Sequence, residues 1–326
     1  MSTLIVGGLG GGGDVGLAAV LVEAYRLQDR IPAIVSFAKC VADSSRGIGR
    51  HVAGALMEVE PGASLNRRVF EDKLMQVAGW ARRAFLVCTL NLWSDIVDAL
   101  KLVYERYRAR CMLHADLGGD ALLMGYEKRL GSYETDAVAR ASLAWLSEEY
   151  GVRSVLALGG IGAEGGGEEI DAVDVAAVLQ YLDARGIILG SLVPSVESLG
   201  VARMLLERAE SGMLPLYLQA VEGRSVAKVN MAYLHGVYRI KPWYKYVLLL
   251  DAARHCRVSP LCEAAIGRGR RGIVKWRRRR PPQDLERIYR VLRRDMRKRG
   301  EEVVQETIMR IMDKYLGRFR LRERCF

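Results

Sequence analysis

The sequence predicts an α/β fold: a doubly wound, mostly parallel Rossmann-like sheet over residues 1–222, followed by a basic, mainly helical region over 223–326. Three observations predict it. The chain opens with a short apolar run (Leu4, Ile5, Val6), six glycines within positions 7–13, and an apolar-periodic segment from Val15 to Tyr25. Buried-type apolar runs then alternate with amphipathic segments for about two hundred residues. Three of the apolar runs end in loops that combine glycines with acids.

The opening stretch reads as strand, glycine loop and helix, with Asp14 at the helix start. Residues 31–38 form a second buried strand. Residues 39–68 mix Asp43, Ser44, Ser45 and Arg46 with glycines and predict an irregular crossover, with a helix over 51–59. Phe70, Leu74, Val77, Trp80 and Ala81 have helical spacing, and residues 85–90 make a third strand. Ser94 is a good N-cap for a helix running to about residue 108. Residues 111–115 form a fourth strand that ends in Asp116-Leu-Gly-Gly-Asp120. Ser132 precedes a helix to Tyr150. A fifth strand over 154–158 leads into the glycine run 159–167, which carries Glu164. A helix over 168–184, a strand over 187–192 and a helix begun by Ser195 follow.

Beyond residue 222 the rhythm weakens. A strand is expected over 246–250, then a basic connection over 267–282. Two amphipathic helices, 283–299 and 301–316, close the chain; the first carries an apolar stripe at Leu285, Ile288, Leu292 and Met296. The charge shifts at the same place. Residues 223–326 hold 28 Lys/Arg against 10 Asp/Glu, whereas 1–222 hold 21 against 28.

With 27% charged residues and half hydrophobic, the composition is that of a globular protein. No apolar run reaches the roughly 18 residues of a membrane span, and the N-terminus has no basic start, so no membrane role and a cytoplasmic location are expected. Arginine greatly outnumbers lysine and proline is sparse, a bias met in some thermophilic proteins. The six cysteines form no Cys-x-x-Cys pair and read as buried small hydrophobes rather than disulfide partners or zinc ligands.

Ligands of open parallel sheets bind beyond the strands' carboxyl ends, where the three loops fall. The first contains Gly8-x-Gly10-x-x-Gly13, a dinucleotide fingerprint in form. The acid expected about 20 residues later to bind a ribose is missing, because the position reads Ser36-Phe37-Ala38-Lys39. That disfavours NAD. Lys39 or Arg46 would suit a 2′-phosphate, and no Gly-Lys-Ser/Thr follows to make a Walker loop. Gly8, Gly10, Gly11, Gly12, Gly13, Gly118, Gly119, Gly160 and Gly162 are the candidates for close backbone approach to phosphate. Asp14, Asp116, Asp120 and Glu164 would repel bare phosphate, but become useful where Mg²⁺ bridges them to phosphate or where they accept from sugar hydroxyls. Asp14 and Asp120 are assigned to metal or water, with Asp116 orienting them. The alternative makes Asp14 a helix cap and Asp120 a turn residue.

Gly-Gly-Gly-Gly-Asp-Val (10–15), Asp-x-Gly-Gly-Asp-x-Leu-x-x-Gly-x-Glu (116–127) and Gly-x-Gly-Ala-Glu-Gly (160–165) together resemble a largely archaeal family, domain of unknown function 1152. The resemblance covers roughly residues 3–200 and implies no particular activity. Ser132-Tyr133 stands where Ser-Pro is usual, and Gly162-Ala-Glu164 where Asp-Gly-Glu is common. Gly12-Gly13-Asp14 and Gly118-Gly119-Asp120 are also similar to the Gly-Gly-Asp loops of phosphofructokinase-type kinases, which hold ATP phosphates and magnesium.

None of His51, His114, His235 and His255 has metal-ligand spacing, and His114 within its strand reads as a core histidine. His235, Tyr238, Lys241, Trp243 and Lys245 form a segment suited to lid the sheet edge. The arginine-rich stretch 268–299, with Trp276 among its arginines, has three readings: nucleic-acid contact, an acidic surface on another subunit, or a solvated face. The two closing amphipathic helices also suggest a homo-oligomer. The leading expectation is a protein that binds a nucleotide or phosphorylated small molecule, with Mg²⁺ and phosphoryl or nucleotidyl chemistry. Its rival is a non-enzymatic RNA-binding or scaffold protein.

Overall fold

Short apolar runs become strands here because both faces of the sheet are covered by helices, so every position along a strand can be apolar. Leu4, Ile5 and Val6 in β1 (Thr3–Gly8) are completely buried, and Ala84 to Cys88, the whole of β5, is buried too. The computed structural model describes residues 3–42, 49–60, 70–80, 82–127, 133–163, 170–208, 211–231, 234–266 and 279–325.

The remaining strands are β2 (Ile34–Ala38), β3 (Gly49–Ala53), β4 (Leu56–Val59), β6 (Ala109–Leu117), β7 (Arg153–Gly159), β8 (Ile188–Leu192), β9 (Val226–Met231), β10 (Leu234–Arg239) and β11 (Val247–Asp251). Nine of them form one sheet in the order β3-β4-β5-β2-β1-β6-β7-β11-β8. The middle five, β5-β2-β1-β6-β7, are parallel. Chain order reverses between β1 and β6, which opens a crevice at their carboxyl ends. The fold is the expected doubly wound α/β class, with a mixed sheet.

The helices are α1 (Gly12–Tyr25), α2 (Phe70–Ala78), α3 (Trp93–Tyr107), α4 (Tyr133–Tyr150), α5 (Ala172–Ala184), α6 (Gly200–Leu206), α7 (Met213–Val221), α8 (Ala252–Arg257), α9 (Pro260–Ile266), α10 (Gln283–Arg299), α11 (Glu302–Tyr315) and α12 (Leu321–Cys325). α1 packs with α2, α6 and α7, and α4 packs with α3, α8 and α9. α5 takes α10 and α11 against it. The apolar stripe of α10 is thereby covered within the chain, with Leu285, Tyr289 and Leu292 buried. The stripes that suggested self-association are consumed by this packing.

Several expectations are corrected. Residues 51–59 are not a helix but most of the hairpin β3–β4, turned at Gly54 (φ +52°) and paired antiparallel to β5. A short apolar run fits either element by periodicity alone, and β5's edge decides it. Ser94 lies inside α3, whose N-cap is Leu92 with no side-chain cap bond. The hairpin β9–β10 adds two strands ahead of the one expected in the region after residue 222. That strand, β11, sits between β7 and β8, antiparallel to both. The region after residue 222 therefore completes the first sheet.

The cysteines are largely buried, as expected, but they are also paired. Disulfides join Cys40 to Cys88, Cys111 to Cys325 and Cys256 to Cys262. Spacing in sequence did not reveal them because each pair is made by packing: α12, for example, returns to the amino end of β6. No helix among the described residues is long and apolar enough to cross a membrane.

Candidate functional site

The crevice between β1 and β6 is built by three chain segments: the glycine turn after β1, the end of β6 with its following turn, and the first turn of α4. Close approach in the first depends on Gly8, where a Cβ would stand 2.7 Å from the Cβ of Asp14. Asp14 is thus drawn under its own loop. It sits in the first turn of α1, behind the N-cap Gly11.

Its carboxylate accepts from the N–H of Gly10 at 2.8 Å, of Gly11 at 2.7 Å and, across the crevice, of Leu117 at 2.9 Å. Two more loop donors are also taken. Gly8 N–H donates to the Ser36 hydroxyl at 3.1 Å and Leu9 N–H to the Ala115 carbonyl at 2.9 Å. Asp14 therefore does for this loop what a phosphate oxygen would do. Only Gly12 and Gly13, as first-turn residues, keep N–H groups with no carbonyl one turn earlier to receive them. The phosphate-cradling role expected of Gly8, Gly10 and Gly11 is replaced by an internal anion. Burial pushes the Asp14 pKa up to about 7, with the three N–H groups pulling it down and Asp120 repelling it.

The second and third loops satisfy each other. Gly118 N–H donates to the Gly159 carbonyl at 2.9 Å, and Gly162 N–H donates to the Gly118 carbonyl at 2.8 Å. Gly160 N–H reaches the Tyr244 carbonyl at 3.3 Å, and the Trp243 indole N–H reaches the Ile161 carbonyl at 2.9 Å. Gly119, at φ +87°, would place a Cβ 2.7 Å from the Cα of Ile161. These glycines let two loops pack backbone to backbone, and Trp243 and Tyr244, both buried, hydrogen-bond to the third loop. Gly118, Gly160 and Gly162 have no N–H left for a phosphate. Glu164, Arg46, Ser132 and residues 268–278 with Trp276 lie outside the described residues, as does the side chain of His235.

Two of the acids singled out from sequence meet a third that was not. Asp116, at the end of β6, and Asp120, in a 3-10 turn (Asp120–Leu122), meet Asp136 from the first turn of α4. Their carboxylate oxygens lie within 4.8 Å of one another, and all three side chains are buried. Asp120 is within hydrogen-bond reach of both Asp116 and Asp136. Asp116 also accepts from Ala121 N–H at 3.2 Å, whereas one oxygen of Asp136 has no partner. Burial first, then the charge of Asp120, holds Asp116 and Asp136 well above the usual carboxylate range. Sequence reasoning missed Asp136. Its signal was an acid one turn before Arg140 in a helix whose intervening residues, Ala137, Val138 and Ala139, are all buried apolar types.

Arg140 is fully buried behind this cluster. One guanidinium nitrogen donates to the carbonyls of Ala121 at 2.8 Å and Leu123 at 2.9 Å, fixing the turn that carries Asp120. The same nitrogen lies 3.3 Å from Nδ1 of His255, whose Nε2 lies 3.2 Å from the Leu122 carbonyl. An arginine only donates, so His255 is neutral with its proton on Nε2. Burial and the neighbouring Arg140 charge lower its pKa to about 3. Glu127 closes the same loop, taking N–H groups from Met124, Gly125 and Tyr126 at 2.8–3.2 Å. His114 is the expected core histidine, with Nε2 2.8 Å from the Val35 carbonyl.

A cavity of about 230 Å³ opens over the acids, lined by Gly10 to Asp14, Asp116, Asp120, Thr135, Asp136, Ser211 and Lys39. Lys39 stands at its exposed rim, 3.1 Å from Glu134.

The family model described as protein of unknown function (DUF1152) matches residues 4–275, most of the chain, which therefore belongs to that family. The match runs beyond residue 200 and includes the residues of β11; α10, α11 and α12 lie outside it. No curated protein and no solved structure matches the chain.

Proposed function

We propose that this DUF1152 protein binds a divalent cation at Asp116, Asp120 and Asp136, and through it the phosphate of a nucleotide or other phosphorylated small molecule. The observation that supports this reading is the meeting of three buried carboxylates within 4.8 Å with one oxygen of Asp136 unpartnered. Carboxylates this close need protons or a cation between them, since burial and mutual repulsion both oppose the ionised set. Arg140 supplies a single positive charge against Asp14, Asp116, Asp120, Asp136 and Glu127, all less than a tenth exposed.

The dimensions suit an oxygen-liking cation. Oxygens on opposite sides of Ca²⁺ stand about 5 Å apart, and those around Mg²⁺ about 4.2 Å apart. Three carboxylate oxygens all within 4.8 Å of one another suit either ion. The phosphate would then lie between the cation, the N–H groups of Gly12 and Gly13, and Lys39 at the rim. A volume of about 230 Å³ holds a cation and a phosphate but not a whole nucleotide, so the rest of the ligand would extend past Lys39.

This division of labour differs from the one expected from sequence. Asp136 replaces Asp14 among the cation ligands, and Asp14 shapes the loop. A bound cation would polarise a phosphoryl oxygen and stabilise charge during phosphoryl or nucleotidyl transfer. Isothermal titration with Mg²⁺, Mn²⁺ and Ca²⁺, followed by nucleotides and sugar phosphates, tests the proposal. Cation binding lost in both Asp120→Asn and Asp136→Asn, with phosphate-ligand binding dependent on the cation, supports it. Phosphate-ligand binding that ignores both EDTA and these substitutions defeats it.

A further inference from the structure

α10 carries a basic face and contributes no residue to the lining of the acidic cavity. Arg287, Arg290, Arg293, Arg294, Arg297 and Lys298 are all exposed. At 100° per residue they fall within about 140° of arc, opposite buried Leu285, Tyr289 and Leu292. Arg294 touches the adjacent Asp295, and Arg293 lies over the Tyr289 ring at 5.3 Å. Among the described residues Arg287, Arg290, Arg297 and Lys298 have no ion-pair partner. Glu286 is the one acid within the arc, near its amino-terminal end.

Ordinary helix energetics do not call for this pattern. Cations in the last turn complement the helix dipole, which accounts for Arg297, Lys298 and Arg299. Arg287 and Arg290 lie in the first half, where the dipole gives them nothing. Like charges three and four apart, such as Arg290 with Arg294 and Arg294 with Lys298, cost a few tenths of a kcal/mol per pair. A polyanion laid along the face would turn that cost into attraction.

We propose that α10 binds the phosphate backbone of a nucleic acid. Six of the seven cations on this helix are arginines, whose planar forks pair bidentately with phosphate. From residue 287 to 298 the stripe rises about 16 Å, the length of about five phosphates of one strand. A membrane surface fits less well, because an interfacial helix needs a free apolar face and that of α10 is packed on α5 and α11. The protein's net charge of +11 would favour long-range attraction to the same partner.

The test is fluorescence anisotropy of the full chain with labelled 20-nucleotide RNA and duplex DNA over 50–500 mM salt. The variant Arg287→Gln/Arg290→Gln/Arg294→Gln/Arg297→Gln is compared with the same four positions changed to Lys. Wild type should bind at low salt, with log affinity falling linearly in log salt. The Gln variant should bind at least tenfold more weakly, with a slope smaller by about 3 to 4, while the Lys variant keeps most of the slope. All three should melt together, because the face is exposed. Absence of binding at 50 mM salt overturns the proposal. So does an unchanged slope in the Gln variant, which would put the contacts elsewhere. Tighter capture of polyglutamate or of anionic vesicles than of RNA or DNA also overturns it, in favour of an acidic protein or a lipid surface.

Discussion

Replacing Asp136 by Asn should stabilise the protein without a cation and destabilise it with one. Its carboxylate shares a buried site with those of Asp116 and Asp120, with oxygens no more than 4.8 Å apart. At an effective dielectric constant of about 20, each ionised pair repels by about 3.5 kcal/mol. The raised pKa values of Asp116 and Asp136 show that the folded cluster favours holding a proton, which relieves part of this, so the expected gain in EDTA is about 1–2 kcal/mol, smaller than the cation effect on wild type. For a chain of 326 residues that is about 1.5–3 °C in Tm. Saturating cation, at 100 times its Kd, should raise wild type by about 2.7 kcal/mol and leave Asp136→Asn nearly unmoved. The two melting curves should therefore exchange order between EDTA and 10 mM cation. Differential scanning calorimetry of both proteins in both buffers reads this directly. If Asp136→Asn melts lower than wild type by the same amount in each buffer, its carboxylate is a structural group and the cation assignment is wrong.

Asp14→Asn should cost about 1–3 kcal/mol with or without cation, since an amide oxygen can keep the Gly10 and Gly11 N–H groups but the amide nitrogen cannot accept from Leu117; urea denaturation in EDTA checks this. Cys325→Ser should cost about 2–5 kcal/mol by opening a loop of 214 residues, and added reductant should abolish the difference from wild type. Burial depresses the folded pKa of His114 to about 4 and that of His255 to about 3. Each histidine's contribution is thus complete above pH 6.5 and lost as pH falls toward those values, at about 1.4 kcal/mol per pH unit. The raised carboxylates act in the opposite sense, so the comparison is with His114→Gln, whose acid limb between pH 6 and 4.5 should be shallower by about one proton. Arg140→Met should destabilise by about 3–5 kcal/mol and weaken cation binding, because the carbonyls of Ala121 and Leu123 lose their donor; titration calorimetry reads the second effect.

Much of this protein is legible in its sequence where one element alone decides the outcome. The central strands are marked by buried apolar runs such as Leu4-Ile5-Val6 and the whole of β5, and α10 falls on the expected residues because its apolar stripe is periodic and its arginines lie opposite. The hairpin β3–β4 is not legible, since its form is fixed by pairing to β5, which periodicity does not carry. The site divides in the same way. Strand-end loops announced Asp116 and Asp120, but Asp136 arrives from a helix whose placement depends on tertiary packing. The glycines were legible as sites of close approach; what approaches them was not. Gly8 meets Asp14 and Gly119 meets Ile161, so the demand for small residues comes from the chain itself.

The late strand β11 also constrains how the protein can be made. Residues up to Gly159 contain the five parallel strands and can assemble as they leave the ribosome, since each new strand finds a neighbour already present. β8 cannot. Its partner on the sheet is β11, some 55 residues later in the chain by order of magnitude, so β8 must wait while β7 presents an open, apolar edge. A nascent or nicked chain ending near residue 222 would hold every loop of the acidic crevice and still lack the strand that covers the edge of β7. Its expected fate is edge-to-edge association, and a chaperone acting on this protein would have that interval to cover.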